Sequence, residues 1–301
     1  MRPDDGRWVV ILAGGRGRRV GHLTRTPDGT TIPKQYWDLG VGPTLFRRAL
    51  DRAESLVPPE RILVVVDGRH RRFWQPAVRG IPEDNLVVQP RDHGTAIGVL
   101  GPLVRIALRE PGARILALPS DHFVQDEGAF AESLDRALAE AAIEPGHIAV
   151  LGITPSGPDP DYGWILPGEP AGRGTFRVEA FVEKPSALLA RRLLERGALW
   201  SGFVFAARVP ALLDLFRRAR PGLLRDFLGR TRAACRASQA GPDLEGLPVV
   251  DFSRAVLEPA AGRLRLLRVA PCGWTDLGTP ERIQAWREQN VAFVPELEQA
   301  S

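Results

Sequence analysis

The chain has 301 residues, 44% hydrophobic and 25% charged, enough for one large domain or two modest ones and incompatible with wholesale disorder. Its two cysteines, Cys235 and Cys272, exclude a disulfide framework and a thiolate zinc site, and it has no apolar run of the roughly 18 residues that a membrane-spanning helix needs. The formal charge of +4 is too slight to suggest a nucleic-acid partner.

Residues 1–7 lack the long apolar stretch of a secretory leader, so a cytoplasmic location is expected, with neither membrane nor nucleic acid as partner. From there, short apolar runs read as buried strands at Trp8–Ala13, Ile62–Val66, Leu86–Val88, Ile115–Leu118 and Ile148–Leu151. Helical spacing of apolar residues falls between them at Leu45–Leu56, Ala96–Leu108 and Phe130–Ala142. That βαβ rhythm predicts an α/β fold with a mostly parallel, Rossmann-like sheet flanked by helices. The rhythm changes after Thr154, where Thr154–Gly174 is rich in Pro, Gly and Asp and reads as loops around a short strand. Phe176–Glu183 alternates as a strand, Leu188–Arg196 reads as a short helix, and Pro185 is placed to open it. Strands at Phe203–Ala206 and Leu264–Val269 and a helix at Glu281–Asn290 follow. The second half is expected to form a smaller, substrate-facing lobe on the same sheet. One domain over 1–301 is expected, in two parts near 8–153 and 154–285.

Of the 40 basic residues, 38 are arginines and only two, Lys34 and Lys184, are lysines. Arginine serves most surface roles, whereas a compact ammonium is needed where a point charge must fit. The two lysines are therefore candidates for function. The first strand runs into Leu12-Ala13-Gly14-Gly15-Arg16-Gly17-Arg18-Arg19. Bare backbone N–H groups there can approach a phosphate, although the same glycines would serve a tight turn. The spacing is neither GxGxxG nor a P-loop. Asp121 follows Ile115–Leu118 and is expected at a strand's carboxyl end, where open α/β sheets bind ligands and a carboxylate suits Mg²⁺, or else as a helix cap. Asp276, in Trp274-Thr275-Asp276, is the candidate partner carboxylate, unless it only closes a turn before Gly278. In Gln89-Pro90-Arg91-Asp92-His93-Gly94-Thr95, Thr95 is placed to cap the next helix and His93 to lie on an exposed loop. The five histidines show no zinc spacing, and no GxSxG elbow supports a covalent hydrolase.

The ordered set Gly14-Gly15-x-Gly17-x-Arg19, Pro33-Lys34-Gln35, Leu118-Pro119-Ser120-Asp121-His122, Gly152-Ile153-Thr154-Pro155, Tyr162-Gly163, Phe181-Val182-Glu183-Lys184-Pro185, Trp200-Ser201-Gly202-Phe203 and Trp274-Thr275-Asp276-Leu277-Gly278 resembles the sugar-phosphate nucleotidyltransferases. The resemblance is to the mannose-1-phosphate guanylyltransferases in particular and spans about residues 8–285. It implies Mg²⁺-dependent transfer of GMP from GTP to a sugar 1-phosphate, with pyrophosphate released. It further implies Arg19, Lys34 and Asp121 as catalytic residues and Asp121 and Asp276 as metal ligands. Leu12, Ala13, Gly14, Gly15, Gly17, Arg18, Gln89, Gly94, Thr95 and Ser120 would bind the nucleotide. Tyr162, Gly163, Glu183, Lys184, Trp200, Ser201 and Gly202 would bind the sugar phosphate.

Three features depart from the family. Val20–Ile32 carries an insert centred on Thr26–Thr30. Trp200 stands where relatives often place an Asn on the sugar, which leaves a deoxy-sugar or cyclitol phosphate open as acceptor. No C-terminal β-helix is expected, and a homodimer remains an option. The base is open too, and a non-catalytic nucleotide-sugar-sensing subunit is the alternative of another class. A nicotinamide dehydrogenase lacks its glycine spacing here.

Overall fold

The computed structural model describes residues 6–290 apart from Arg16, Pro27, Val41 and Ala240. Strands β1 (Arg7–Ala13), β2 (Ile62–Asp67), β3 (Leu86–Gln89) and β4 (Arg114–Pro119) pair in parallel in the order β3-β2-β1-β4. Helices α1 (Leu45–Leu56), α2 (Arg71–Ala77) and α3 (Gly94–Arg109) make the crossovers, and α4 (Glu127–Ile143) follows β4. This half has the rhythm read from the sequence. The remaining strands are β5 (Ile148–Ile153), β6 (Gly163–Gly172), β7 (Thr175–Glu183), β8 (Leu199–Arg208) and β9 (Leu264–Arg268). All nine join one sheet in the order β3-β2-β1-β4-β8-β5-β9-β7-β6, with β6 also pairing with β8.

The sheet is mixed, which corrects the expectation of a mostly parallel one. Strand β8 runs antiparallel between β4 and β5, and β7 is antiparallel to both β6 and β9. A buried apolar run looks the same in either direction, so the hydrophobic pattern does not register the reversal. The short strand expected in Thr154–Gly174 is the ten-residue β6, which contains Pro167 and Pro170. Only Gly163–Ile165 pairs with β8, so its later residues lie on an edge, where proline removes no needed ladder bond.

Helix α5 (Ala187–Glu195) starts two residues later than Pro185: Ser186 is its cap, accepting from the Leu189 N–H. The unassigned stretch after β8 holds α6 (Val209–Ala219) and α7 (Pro221–Arg236). Helices α3, α6 and α7 cover one face of the sheet and α1, α2, α4 and α5 the other, each burying an aliphatic layer. A smaller cluster of Val20, Leu39, Leu45, Phe123, Leu277, Ile283 and Trp286 anchors α8 (Pro280–Asn290) to the loop after β1. Among the described residues no helix is long and apolar enough to cross a membrane.

Candidate active site

Chain order turns back at β1, with β2 on one side and β4 on the other, and ligands of open α/β sheets bind in the crevice beyond such a point. The loop after β1 and the segment after β4 flank that crevice. Gln35, almost fully buried, donates from Nε2 to the carbonyls of Ala13 and Gly15, both at 2.9 Å, which fixes the glycine loop. Gly17 has φ +57°, and a Cβ on it would lie 2.8 Å from the Cβ of Lys34. Only glycine lets Lys34 pass this close beneath the loop. Gln89 closes the other side, its Oε1 3.7 Å from where a Cβ on Gly14 would stand. The Ser120 N–H donates to the Leu12 carbonyl at 3.2 Å, joining the two flanks.

Lys34 is 4% exposed, and its Nζ sits 2.8 Å from Asp121 Oδ2 while donating to the Asp276 carbonyl. Two backbone bonds between Phe123 and Thr275, at 2.9 and 3.0 Å, bring the segments of the two aspartates side by side. Neither carboxylate is a helix cap: α4 is capped by Asp126. Asp276 does close a turn, accepting from the Gly278 N–H at 3.0 Å. The same oxygen, Oδ1, also accepts from the Tyr162 hydroxyl at 2.7 Å and from Arg282 Nη1 at 2.8 Å. Burial pushes the Asp121 carboxyl up, but the charge of Lys34 and its hydrogen bond outweigh it and hold the group below the usual carboxylate range. Asp276 is held low as well, burial being outweighed by Lys34 and Arg282. Burial drives His122 down to about 4, so it is neutral and accepts at Nδ1 from Trp274 Nε1 at 3.3 Å.

The second half of the site lies at the ends of β6, β7 and β8. Gly163 pairs with both Glu183 and Ser201, and a Cβ on Gly163 would stand 2.6 Å from Glu183 Oε2. Burial pushes Glu183 up to about 7, with Asp251 adding to the rise and Lys184 opposing it. Lys184 has φ +50°, its N–H donates to the Tyr162 carbonyl at 3.2 Å, and its ammonium lies 3.7 Å from Glu183 Oε1. Phe203 and Leu277 also have positive φ, so three non-glycine residues in the strained left-handed region lie in or next to the motifs. Trp200 is buried against Tyr162, ring centres 4.5 Å apart, and its Nε1 has no hydrogen-bond partner among the described residues. Gly202 lies under Trp274, 3.3 Å from Cζ2 to a Cβ placed on it.

Of the remaining residues, His93 and Thr95 stand differently from expectation. Arg19 pairs with Asp161, on the loop before β6. Arg18 lies in a short 3-10 turn, its side chain outside the described residues. His93 is buried rather than exposed and stands at the cap position of α3. Thr95 does not cap that helix: its Oγ1 accepts from the Phe252 N–H at 2.8 Å. Gly94 has φ +79°, and a Cβ there would stand 2.6 Å from the Val250 carbonyl oxygen. Gly94→Ala is expected to lower stability by about 1–3 kcal/mol in urea unfolding, whereas Gly112→Ala, with open space around it, is expected to leave it within about 0.5 kcal/mol. The insert forms a tight turn in which Thr26 N–H donates to the Thr30 carbonyl at 2.8 Å, with Pro27 outside the described residues. The stapling of the loop by Gln35, and the places of Arg282, Asp159 and Asp161 beside the site, have no local signal in the sequence.

Among the described residues no cluster of three or more His, Cys, Asp or Glu side chains could hold a metal ion. The two aspartates nevertheless suit Mg²⁺, which keeps waters and is bound through one or two carboxylates plus substrate phosphates. Asp121 Oδ1 and Asp276 Oδ2 each accept no hydrogen bond among the described residues and so remain available to a cation.

Residues 8–289 match the family described as nucleotidyl transferase. The xanthan biosynthesis protein XanB of Xanthomonas campestris is 29% identical over 279 residues, 90% of this chain and 57% of that protein. The mannose-1-phosphate guanylyltransferase of Sinorhizobium fredii is 29% identical over 295 residues, 94% of this chain and 55% of that protein. The chain thus spans little more than half the length of these curated relatives. Among solved structures, the Thermus thermophilus protein described as a mannose-1-phosphate geranyltransferase superposes with TM-score 0.76 at 35% identity, covering 91% of this chain and 76% of that one.

Proposed function

The chain belongs to the nucleotidyl transferase family, and on that premise we propose that it transfers GMP from GTP to a hexose 1-phosphate, mannose 1-phosphate first among acceptors, and releases pyrophosphate. The observation that carries this reading is the Lys34–Asp121–Asp276 cluster, seated where the bare Gly17 backbone meets the crevice between β1 and β4. An acceptor phosphate is already an anionic nucleophile, so the reaction needs positioning and charge neutralisation more than a base.

A phosphate oxygen of the acceptor attacks the α-phosphorus of GTP; the new P–O bond forms as the bond to the β-phosphate bridging oxygen breaks, and pyrophosphate departs. Backbone N–H groups of Gly14, Gly15 and Gly17 cradle the triphosphate, with Leu12, Ala13, Arg18 and Ser120 around it. Lys34 offsets the charge that develops on the phosphates, and Arg19 exchanges Asp161 for a phosphate. Gln89 and the loop through Gly94 and Thr95 face the base. Asp121 and Asp276 would hold Mg²⁺, which when bound would supply positive charge to offset that of the substrate phosphates. Lys184 takes the acceptor phosphate. Glu183, Gly163 and Ser201 take sugar hydroxyls, and Tyr162, Trp200 and Gly202 shape the wall behind them. The nucleotide part is 8–153 and the sugar-phosphate part 154–285.

The test is pyrophosphate release with Mg²⁺, each NTP being paired with mannose 1-phosphate, glucose 1-phosphate, a deoxyhexose 1-phosphate, an inositol phosphate or no acceptor. Release with GTP and mannose 1-phosphate alone supports the full reading. Release with GTP and a different acceptor keeps the chemistry and makes Trp200, with its unpartnered indole N–H, the residue to exchange. Silence with every pair, alongside measurable GTP binding, contradicts an enzymatic role and favours a sensing subunit.

Glu183 gives this site a pH dependence. Its carboxyl, raised to about 7, accepts sugar hydroxyls more strongly when ionised, so KM for the acceptor is expected to fall by up to about tenfold between pH 6 and 8, and this fall is expected to flatten in Glu183→Gln. KM for GTP is expected to lack that Glu183-dependent component. The stability sign is opposite to that of a salt-bridged carboxylate. Folded Glu183 binds more protons than unfolded between about pH 4.5 and 7, so its contribution to stability declines as pH rises through that window.

A further inference from the structure

Arg282 lies on the first turn of α8, outside every motif the sequence singled out, yet its side chain is only 15% exposed and both terminal nitrogens are engaged. Nη1 donates to Asp276 Oδ1 at 2.8 Å, Nη2 donates to Asp159, and Asp161 Oδ2 lies 3.9 Å from Nη2. The guanidinium also stacks over the Tyr162 ring, 4.2 Å from its centre. We infer that Arg282 is the positioning residue that turns Asp276: by saturating Oδ1 together with the Tyr162 hydroxyl and the Gly278 N–H, it leaves Oδ2 as the oxygen presented to a cation.

The inference rests on the proposed reading of Asp276 as a cation ligand. Its reach is wider than one carboxylate, because the fork that holds Asp276 also holds Asp159, on the loop that leads to Tyr162 and Gly163. Asp161 of that loop is shared with Arg19, so one chain of ion pairs runs from the glycine loop through the 159–161 turn to Asp276. A planar guanidinium can grip two carboxylates at fixed angles, and an ammonium cannot. The orientation of Asp276 is thereby tied to the loop that forms the acceptor side. A group that holds a ligand carboxylate from behind acts on affinity for the ion without touching it.

The test is binding of Mn²⁺, followed by water-proton relaxation in protein saturated with a non-hydrolysable α,β-methylene GTP, without acceptor or turnover. Asp276→Asn is expected to lose Mn²⁺ affinity. Arg282→Gln is expected to weaken it about 10–100-fold, with the affinity for the analogue measured in the absence of metal kept within about twofold. Arg282→Lys is expected to recover only part of the loss. If Asp276→Asn binds Mn²⁺ as wild type does, the reading of Asp276 fails and the inference goes with it. If Asp276→Asn is impaired and Arg282→Gln is not, Arg282 has no positioning role and only this inference is overturned. Should the Arg282 variants fail to fold, Asp159→Asn tests the same fork from its far side. A loss of at least about threefold is expected there, and wild-type affinity overturns the inference.

Discussion

A Lys34→Ala protein is expected to fold and to bind GTP, yet to turn over about 10²–10³-fold more slowly than wild type, a loss of about 2.7–4 kcal/mol of transition-state stabilisation. Lys34 is nearly inaccessible to water, so its charge acts at close range with little screening. It is also the group that binds the Asp121 carboxylate and the Asp276 backbone together. Removing it loses a preorganised positive charge and leaves the Asp121 carboxylate without its partner. Lys34→Arg is expected to recover little. The side chain passes beneath Gly17 with no spare room, and a fork of five donors does not fit where one ammonium meets a carboxylate and a carbonyl. Steady-state kcat for both variants, with urea midpoints to confirm that they fold, checks this. A Lys34→Ala protein turning over at the wild-type rate removes the residue from the mechanism.

The second large effect is on stability. Trp164 is fully buried in β6, in register with Val182 and Trp200, and its Nε1 donates to the Asp159 carbonyl at 2.9 Å. Trp164→Ala removes the largest fully buried side chain of the sheet's second half and frees the loop that presents Asp159 and Asp161. The expected cost is about 3–5 kcal/mol, a large share of the 5–15 kcal/mol by which proteins are usually stable. Trp164→Phe keeps most of the ring, drops the hydrogen bond and is expected to cost less, about 1–3 kcal/mol. Equilibrium urea unfolding separates the two. Equal losses in both variants would place the contribution of Trp164 in the hydrogen bond rather than in packing.

What could be read from the sequence follows from what local pattern encodes. Strand β1, the glycine loop and strand β4 are legible because an apolar run, glycines and a following carboxylate are local signals. The two lysines stand out against 38 arginines for a similarly local reason. Strand direction is not local. The insertion of β8 between β4 and β5 depends on which apolar edges meet after collapse, and nothing in Leu199–Arg208 records it. The prolines of β6 read as loop because proline forbids a central strand, whereas the edge position that permits them is a property of the whole sheet.

The same distinction holds in the site. Lys34, Asp121, Asp276 and Tyr162 come together, as do Gly163, Glu183, Lys184 and Ser201, and all eight lie in short motifs. Arg282 and Asp159 are 123 residues apart, and nothing distinguishes either from the many other charged residues of the chain. The burial of His93 and the engagement of Thr95 by Phe252 likewise come from a segment more than 150 residues later folding over α3.

On the proposed function, the chain breaks GTP between its α- and β-phosphates and hands the GMP group to a sugar phosphate. The most direct test is ³¹P NMR of GTP, mannose 1-phosphate, Mg²⁺ and the protein in one tube. Pyrophosphate and a GDP-sugar are expected to appear one for one while GTP and mannose 1-phosphate disappear together. Inorganic phosphate and GDP appearing with mannose 1-phosphate untouched would contradict it, because the bond broken would then be the wrong one and the acceptor would take no part.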